Sequence, residues 1–208
     1  MKKKCSILLN LFIGLASFGA WLFMAVLSFD NGSLSSNGFS SLKYFTVLSN
    51  LFNGAVSLIY AGWLISGKEI TSRRRSWKLI AVSAVGLTFT TVLFFLGPFY
   101  GYRAMLLGSN LWMHLILPVV SILSYLLLER DCRIPFRATL CAVVPTVFYE
   151  IGYLDNIALH GIGTWPDTND FYGFLLWGNA VGAVFASSML IATWLIAVLL
   201  RRLGSNRS

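Results

Sequence analysis

Residues 110–128 read N-L-W-M-H-L-I-L-P-V-V-S-I-L-S-Y-L-L-L. The run approaches the ~20 residues that a helix needs to cross the hydrocarbon layer of a bilayer. Backbone that faces lipid must satisfy its own polar groups, so the stretch has to be helical. A few residues in stands His114. An ionisable side chain is costly at that depth, and inside a membrane it marks a functional-site hypothesis by default.

Working outward from this run, five more apolar stretches follow the same logic. The predicted spans are 6–29, 43–66, 79–99, 109–128, 138–156 and 171–200. The fifth is the weakest, because it contains Pro145 and Glu150. The sixth exceeds one crossing and is expected to tilt or project. The fold class that follows is all-α: one polytopic bundle of six transmembrane helices, a single domain over residues 1–208. Composition agrees. The 208-residue chain is 57% hydrophobic and only 12% charged, against roughly 25% charged in soluble domains. The first apolar stretch is longer than the ~7–15 residues of a signal-peptide core, so it is expected to stay as a span.

The net charge of +8 is distributed as membrane topology requires, not as nucleic-acid binding would. Lys2, Lys3, Lys4, Lys68, Arg73, Arg74, Arg75, Lys78, Arg130, Arg133, Arg137, Arg201, Arg202 and Arg207 fall on one side of the spans, and Lys43 and Arg103 on the other. That split of 14 to 2 places both termini in the cytoplasm by the positive-inside rule. Arg73, Arg74 and Arg75 read as a topology anchor that meets anionic lipid. Cys5, Cys132 and Cys141 have no metal-like spacing. No disulfide framework, metal or cofactor is expected, and no nucleic-acid partner. The expected location is a bacterial plasma membrane. Outside, residues 30–41 read as a flexible connection. Residues 160–174 read as an interfacial lid or as an ordinary loop that lends Trp165 and Tyr172 to the aromatic belt.

The second span opens K-Y-F-T-V-L-S-N-L-F-N. Thr46, Asn50 and Asn53 recur at i, i+4 and i+7, so they share a helix face. Asn110 and His114 share a face of the fourth span. Both spans enter from outside, and at ~1.5 Å per residue Thr46 and His114 differ in depth by only a few ångströms. Tyr149 and Glu150 fall in the outer half of the fifth span. The cytoplasmic half is expected to be much poorer in such groups. Structural alternatives stand beside each functional one. Threonine hydroxyls in membrane helices commonly bond backbone, and asparagines glue helices together. Glu150 has His114 or Lys43 as a possible ion-pair partner.

The segments L-K-Y-F-T-V-L-S-N-L and W-M-H-L-I-L-P-V-V, in this order, resemble the androgen-induced integral membrane proteins and, more closely, their six-pass bacterial relatives. The animal members are multipass hydrolases of lipid esters, notably fatty acid esters of hydroxy fatty acids, and use a membrane-embedded threonine and histidine. The resemblance implies Thr46 and His114 as that pair, with membrane lipids and a fatty-acyl ester as partners. The animal pattern has Asn three residues after the threonine; here Ser49 holds that place and Asn50 follows.

On this reading Thr46 attacks an ester carbonyl while His114 takes its proton and returns it to the leaving alcohol. Asn50, Asn53 or Asn110 supplies amide donors to the oxyanion, and Tyr149 or Glu150 orients the imidazole. The same residues fit a different class, a small-molecule transporter or substrate-capture subunit with a polar ligand site in the outer half. Such a subunit needs a small-residue stripe for docking a partner. Gly14, Ala16, Gly19 and Ala20 form a loose one.

Overall fold

A computed structural model describes residues 1–26, 38–130, 132–164 and 168–204. It is all helical, with no strand among the described residues. Five helices are long and apolar enough to cross a membrane: α1 (Lys2–Val26), α2 (Phe45–Ile65), α3 (Ser72–Tyr100), α4 (Ser109–Leu128) and, last in the chain, Asn179–Gly204. The chain is a multi-pass integral membrane protein. Its large apolar side chains point outward, Leu8, Leu15 and Leu22 on α1 and Val184, Ile191 and Leu195 on the last helix among them. The interior mixes buried apolar residues such as Ile13, Tyr60, Leu79 and Leu117 with serines, asparagines and small residues, the polar and small ones being expected where lipid removes the hydrophobic drive between helices.

The predicted fifth span is not one helix. It is a short α5 (Arg137–Cys141), a turn at Ala142 and Val143, and α6 (Val144–His160). Pro145 lies in the first turn of α6, where its missing N–H leaves no extra group unpaired. The predicted sixth span also begins later than the sequence suggests. Residues 171–178 are turns, and α7 is Asn179–Gly204. The cause is local. Gly173 and Gly178 adopt φ of 70° and 92°, and the Asp170 carboxylate accepts the N–H groups of Phe174 and Leu175, both at 2.9 Å. Of the two predicted outer loops, residues 27–37 and 165–167 lie outside the described residues. Trp165 is among them.

The central helix is α3, which packs against α2, α4 and α7. From Ala81 to Thr88 every residue is buried. Ala81, Ser83, Ala84 and Gly86 let neighbours approach. The α1–α2 contact is closer still. A Cβ on Gly14 would meet Leu58 at 2.4 Å, and one on Gly54 would meet Ser17 at 2.7 Å. Gly14 therefore serves the bundle itself, whereas Gly19 faces open space.

Two π-helical turns interrupt α3 and α4, at Val92–Leu96 and Trp112–Ile116. Each precedes a proline, Pro98 or Pro118. A proline inside a helix cannot donate to the carbonyl four residues back, and its ring pushes that carbonyl away. The affected residues are Phe94 and His114, each in the middle of its π turn. The His-x-x-x-Pro spacing thus sets His114 in a widened turn, a feature that recurs at functional sites.

Candidate functional site

The first turn of α2 carries Thr46. No side chain of its own N-cap, Tyr44, bonds the exposed N–H groups there, although helix starts need such partners. The cap comes from elsewhere in the chain. Tyr172 folds inward and its hydroxyl accepts the Phe45 N–H at 3.0 Å. Tyr172 is thus a helix cap rather than part of an aromatic belt. Tyr149 donates to the Lys43 carbonyl at 2.7 Å. Tyr44, Tyr153, Phe171 and Phe174 complete an aromatic collar around this end of α2.

Asn50 joins the two predicted motifs. Its amide nitrogen donates to the Thr46 carbonyl at 2.8 Å and to the Met113 carbonyl at 3.0 Å. The turn that holds Thr46 and the residue beside His114 are therefore held to one side chain, and α2 and α4 touch at this level. Both N–H groups of that amide are taken; its Oδ1 is buried without a partner.

The imidazole of His114 is buried, with 7% exposure. Its Nδ1 lies 2.7 Å from the Met105 carbonyl. A carbonyl only accepts, so Nδ1 carries the proton and Nε2 keeps its lone pair. Among the described residues no hydrogen bond joins Thr46 to His114, and none involves the Thr46 hydroxyl.

Thr46 faces a cavity of ≈ 60 Å³ between α2, α3, α6 and the residues before α7. Thr88, Thr91, Thr146, Tyr149, Glu150 and Tyr172 supply its polar lining, and Phe45, Leu87, Val92, Leu96, Phe174 and Met189 the rest. His114 is not in that lining. Glu150 is half-buried, with Oε1 unpaired. Among the described residues it forms no ion pair with His114 or Lys43. The neighbouring threonines are partly engaged: Ser49 and Thr88 are 2.9 Å apart, and Thr146 and Thr193 3.2 Å. Asn53 donates to Ser121 at 2.8 Å, deeper along the α2–α4 seam. Asn110 begins α4 half-buried, and its backbone N–H bonds Leu107.

Comparison with family models, with curated proteins and with solved structures finds no match. The site is therefore interpreted from its own chemistry.

The expectation that the basic half of the bundle is poor in polar groups is overturned. Lys78, Asn10, Ser57 and Glu129 are all fully buried there. Lys78 donates to Asn10 at 2.7 Å and to Ser57 at 2.6 Å. The other end of the Asn10 amide donates to Glu129 at 2.8 Å, and Ser124 donates to the same oxygen at 2.9 Å. Glu129 Oε2 has no partner. One asparagine thus bridges a buried cation and a buried anion, and the network joins α1, α2, α3 and α4. Arg75 is buried too and does not meet lipid. Its guanidinium donates to the Gly204 carbonyl at 2.7 Å and to the Cys132 carbonyl, and lies 5.2 Å from the Tyr125 ring centroid. A signal for both was present. Arg75, Lys78, Val82 and Val85 recur at i, i+3, i+7 and i+10, one stripe of a helix. Flanking position made the two cations look like topology anchors.

Proposed function

We propose that this protein is a membrane-embedded hydrolase of lipid acyl esters, with Thr46 as nucleophile and His114 as base. The observation that carries the reading is the Asn50 clamp, which holds the two motifs together across separate helices. Two further features agree with it. The Met105 carbonyl fixes the imidazole tautomer whose Nε2 can accept a proton, and the Thr46 hydroxyl stands free beside a largely apolar cavity. The family resemblance of the two motifs points the same way, and the positive-inside rule sets the basic end of the bundle in the cytoplasm. In that orientation the site lies near the outer leaflet.

The chemistry runs as follows. The Thr46 oxygen bonds to the ester carbonyl carbon as His114 Nε2 takes its proton. The tetrahedral intermediate collapses, the alkoxide leaves, and His114 returns the proton to it. Water then attacks the acyl-threonine with His114 again as base, releasing the fatty acid and restoring Thr46. Hydrogen bonds of this kind are often long before substrate binds and tighten in the complex. Asn50 is committed to the two carbonyls, so it acts by positioning.

The test is covalent labelling of the full protein in detergent by a fluorophosphonate probe. Thr46→Ala and His114→Ala should each abolish labelling while the monodisperse elution profile is kept. Labelling unchanged in both contradicts the reading. A second reading, capture of a small polar ligand, is favoured by the unpaired Glu150 oxygen among four threonines in the cavity. Saturable binding lost in Glu150→Gln, without turnover in the wild type, is the result that selects it.

A further inference from the structure

A second depression lies beside the cavity, on the other side of Tyr149. It is an open groove of ≈ 530 Å³ between the start of α2, the later half of α6 and residues 168–171. Its two ends differ in chemistry. Lys43, Asn156 and Asn169 lie at one, and Leu48 and Phe148 at the other. Leu48 is 40% exposed and Phe148 72%, as befits side chains that meet acyl tails. Along α6, Phe148 lies ~12 Å beyond Asn156 at 1.5 Å per residue. Polarity therefore falls from the groove's mouth into its depth in the same sense as it falls from headgroup to chain in a leaflet.

We propose that this groove binds a phospholipid with an anionic phosphodiester head, and that this lipid is the substrate class of the Thr46 site, the second half resting on the hydrolase reading above. Lys43 supplies the positive charge at the groove's mouth. Its ammonium lies 5.3 Å and 5.1 Å from the ring centroids of Tyr44 and Phe171. Among the described residues no carboxylate forms an ion pair with it. Asp170, close by in sequence to Phe171, spends both oxygens on Phe174, Leu175 and Tyr153. Among the described residues Asn156 and Asn169 each use one amide N–H, to Asn169 Oδ1 and the Gly161 carbonyl, and each keeps one. A single cation flanked by two neutral donors matches a monoanion. A choline head gains little, because Lys43 already occupies the two aromatic faces that would hold its ammonium.

The register fits an ester as well as a phosphate. In a glycerolipid the acyl esters hang just below the phosphate. Thr46 follows Lys43 by three residues, in the first turn of α2 just past the extended backbone of Tyr44. Tyr149 lines both groove and cavity, so the groove and the cavity that holds Thr46 share a wall.

The test uses the full protein in micelles doped with phosphatidylglycerol, phosphatidylcholine and oleate of matched chain length, with retained lipid counted by native mass spectrometry. The wild type should retain phosphatidylglycerol over phosphatidylcholine by roughly fivefold, the weight of one interfacial lysine. Lys43→Gln should erase that preference, and Thr46→Ala should keep it. Equal retention of both heads, a preference that survives Lys43→Gln, or preferential retention of oleate overturns the groove assignment. Ester cleavage is scored separately on the same lipids. Headgroup selectivity with no cleavage overturns the substrate assignment together with the hydrolase reading; cleavage with no selectivity overturns the groove alone.

Discussion

Removing the Glu129 carboxylate tests how the basic half of the bundle is held together. Glu129→Ala deletes the acceptor of two hydrogen bonds, from Asn10 at 2.8 Å and Ser124 at 2.9 Å. It also strips Lys78 of its counter-charge. Lys78 is fully buried and, among the described residues, has only the neutral Asn10 and Ser57 as hydrogen-bond partners. Deleting one member of a buried ion pair in direct contact costs about 3–5 kcal/mol, because the survivor's charge is left unpaired; with Asn10 between Lys78 and Glu129, that range is the ceiling for Glu129→Ala. Replacing both members by uncharged residues of similar volume is far cheaper. The double variant Lys78→Met with Glu129→Gln should therefore lose less than Glu129→Ala alone. The assay is equilibrium unfolding in mixed micelles, read by tryptophan fluorescence, over a full double-mutant cycle of Lys78→Met and Glu129→Gln. A coupling energy above about 2 kcal/mol is expected for groups joined through one bridging side chain. Additive losses, or a Glu129→Ala cost under about 1 kcal/mol by the same criterion, refute the reasoning.

Three further outcomes follow from single contacts. Gly54→Val should destabilise by about 1–3 kcal/mol through overpacking of the α1–α2 contact, since even a Cβ there lies 2.7 Å from Ser17; the same unfolding assay reads it. Tyr172→Phe removes the cap of α2, so the Phe45 amide should exchange hydrogen faster than in the wild type, with a loss of about 1 kcal/mol. Asn50→Leu should lower the rate of probe labelling while Thr46 and His114 are both present, because it releases the clamp between α2 and α4; labelling at the wild-type rate counts against the clamp.

Much of the fold was legible because bilayer thickness and backbone satisfaction leave few choices. The fourth span runs Ser109–Leu128, within a residue of where hydropathy puts it, and α2 differs by a residue or two at each end. The failures have physical causes. Hydropathy sums over a window, so it ran through the turn at Ala142 and Val143 and through residues 171–178, where Asp170 and two glycines set the backbone. Charge counting treats a cation near a span end as a flank, and so missed that Lys78 and Arg75 turn inward. Of the site, the Thr46 and Asn50 face was visible in the i, i+4 spacing. What lay beyond the sequence was the partner of that face. Nothing in residues 160–174 announces that Tyr172 caps α2, and depth arithmetic set Thr46 level with His114 without showing that Asn50 would tie their turns together.

The central claim is that Thr46 forms an acyl bond. Full protein in nanodiscs, given a phospholipid whose acyl chain carries a mass label, is quenched in acid within a turnover and digested. The expected result is a labelled acyl group on the peptide that contains Thr46, accumulating slowly in His114→Ala and absent in Thr46→Ala. Lipid cleaved with no adduct on Thr46, or an adduct on another residue, contradicts the claim.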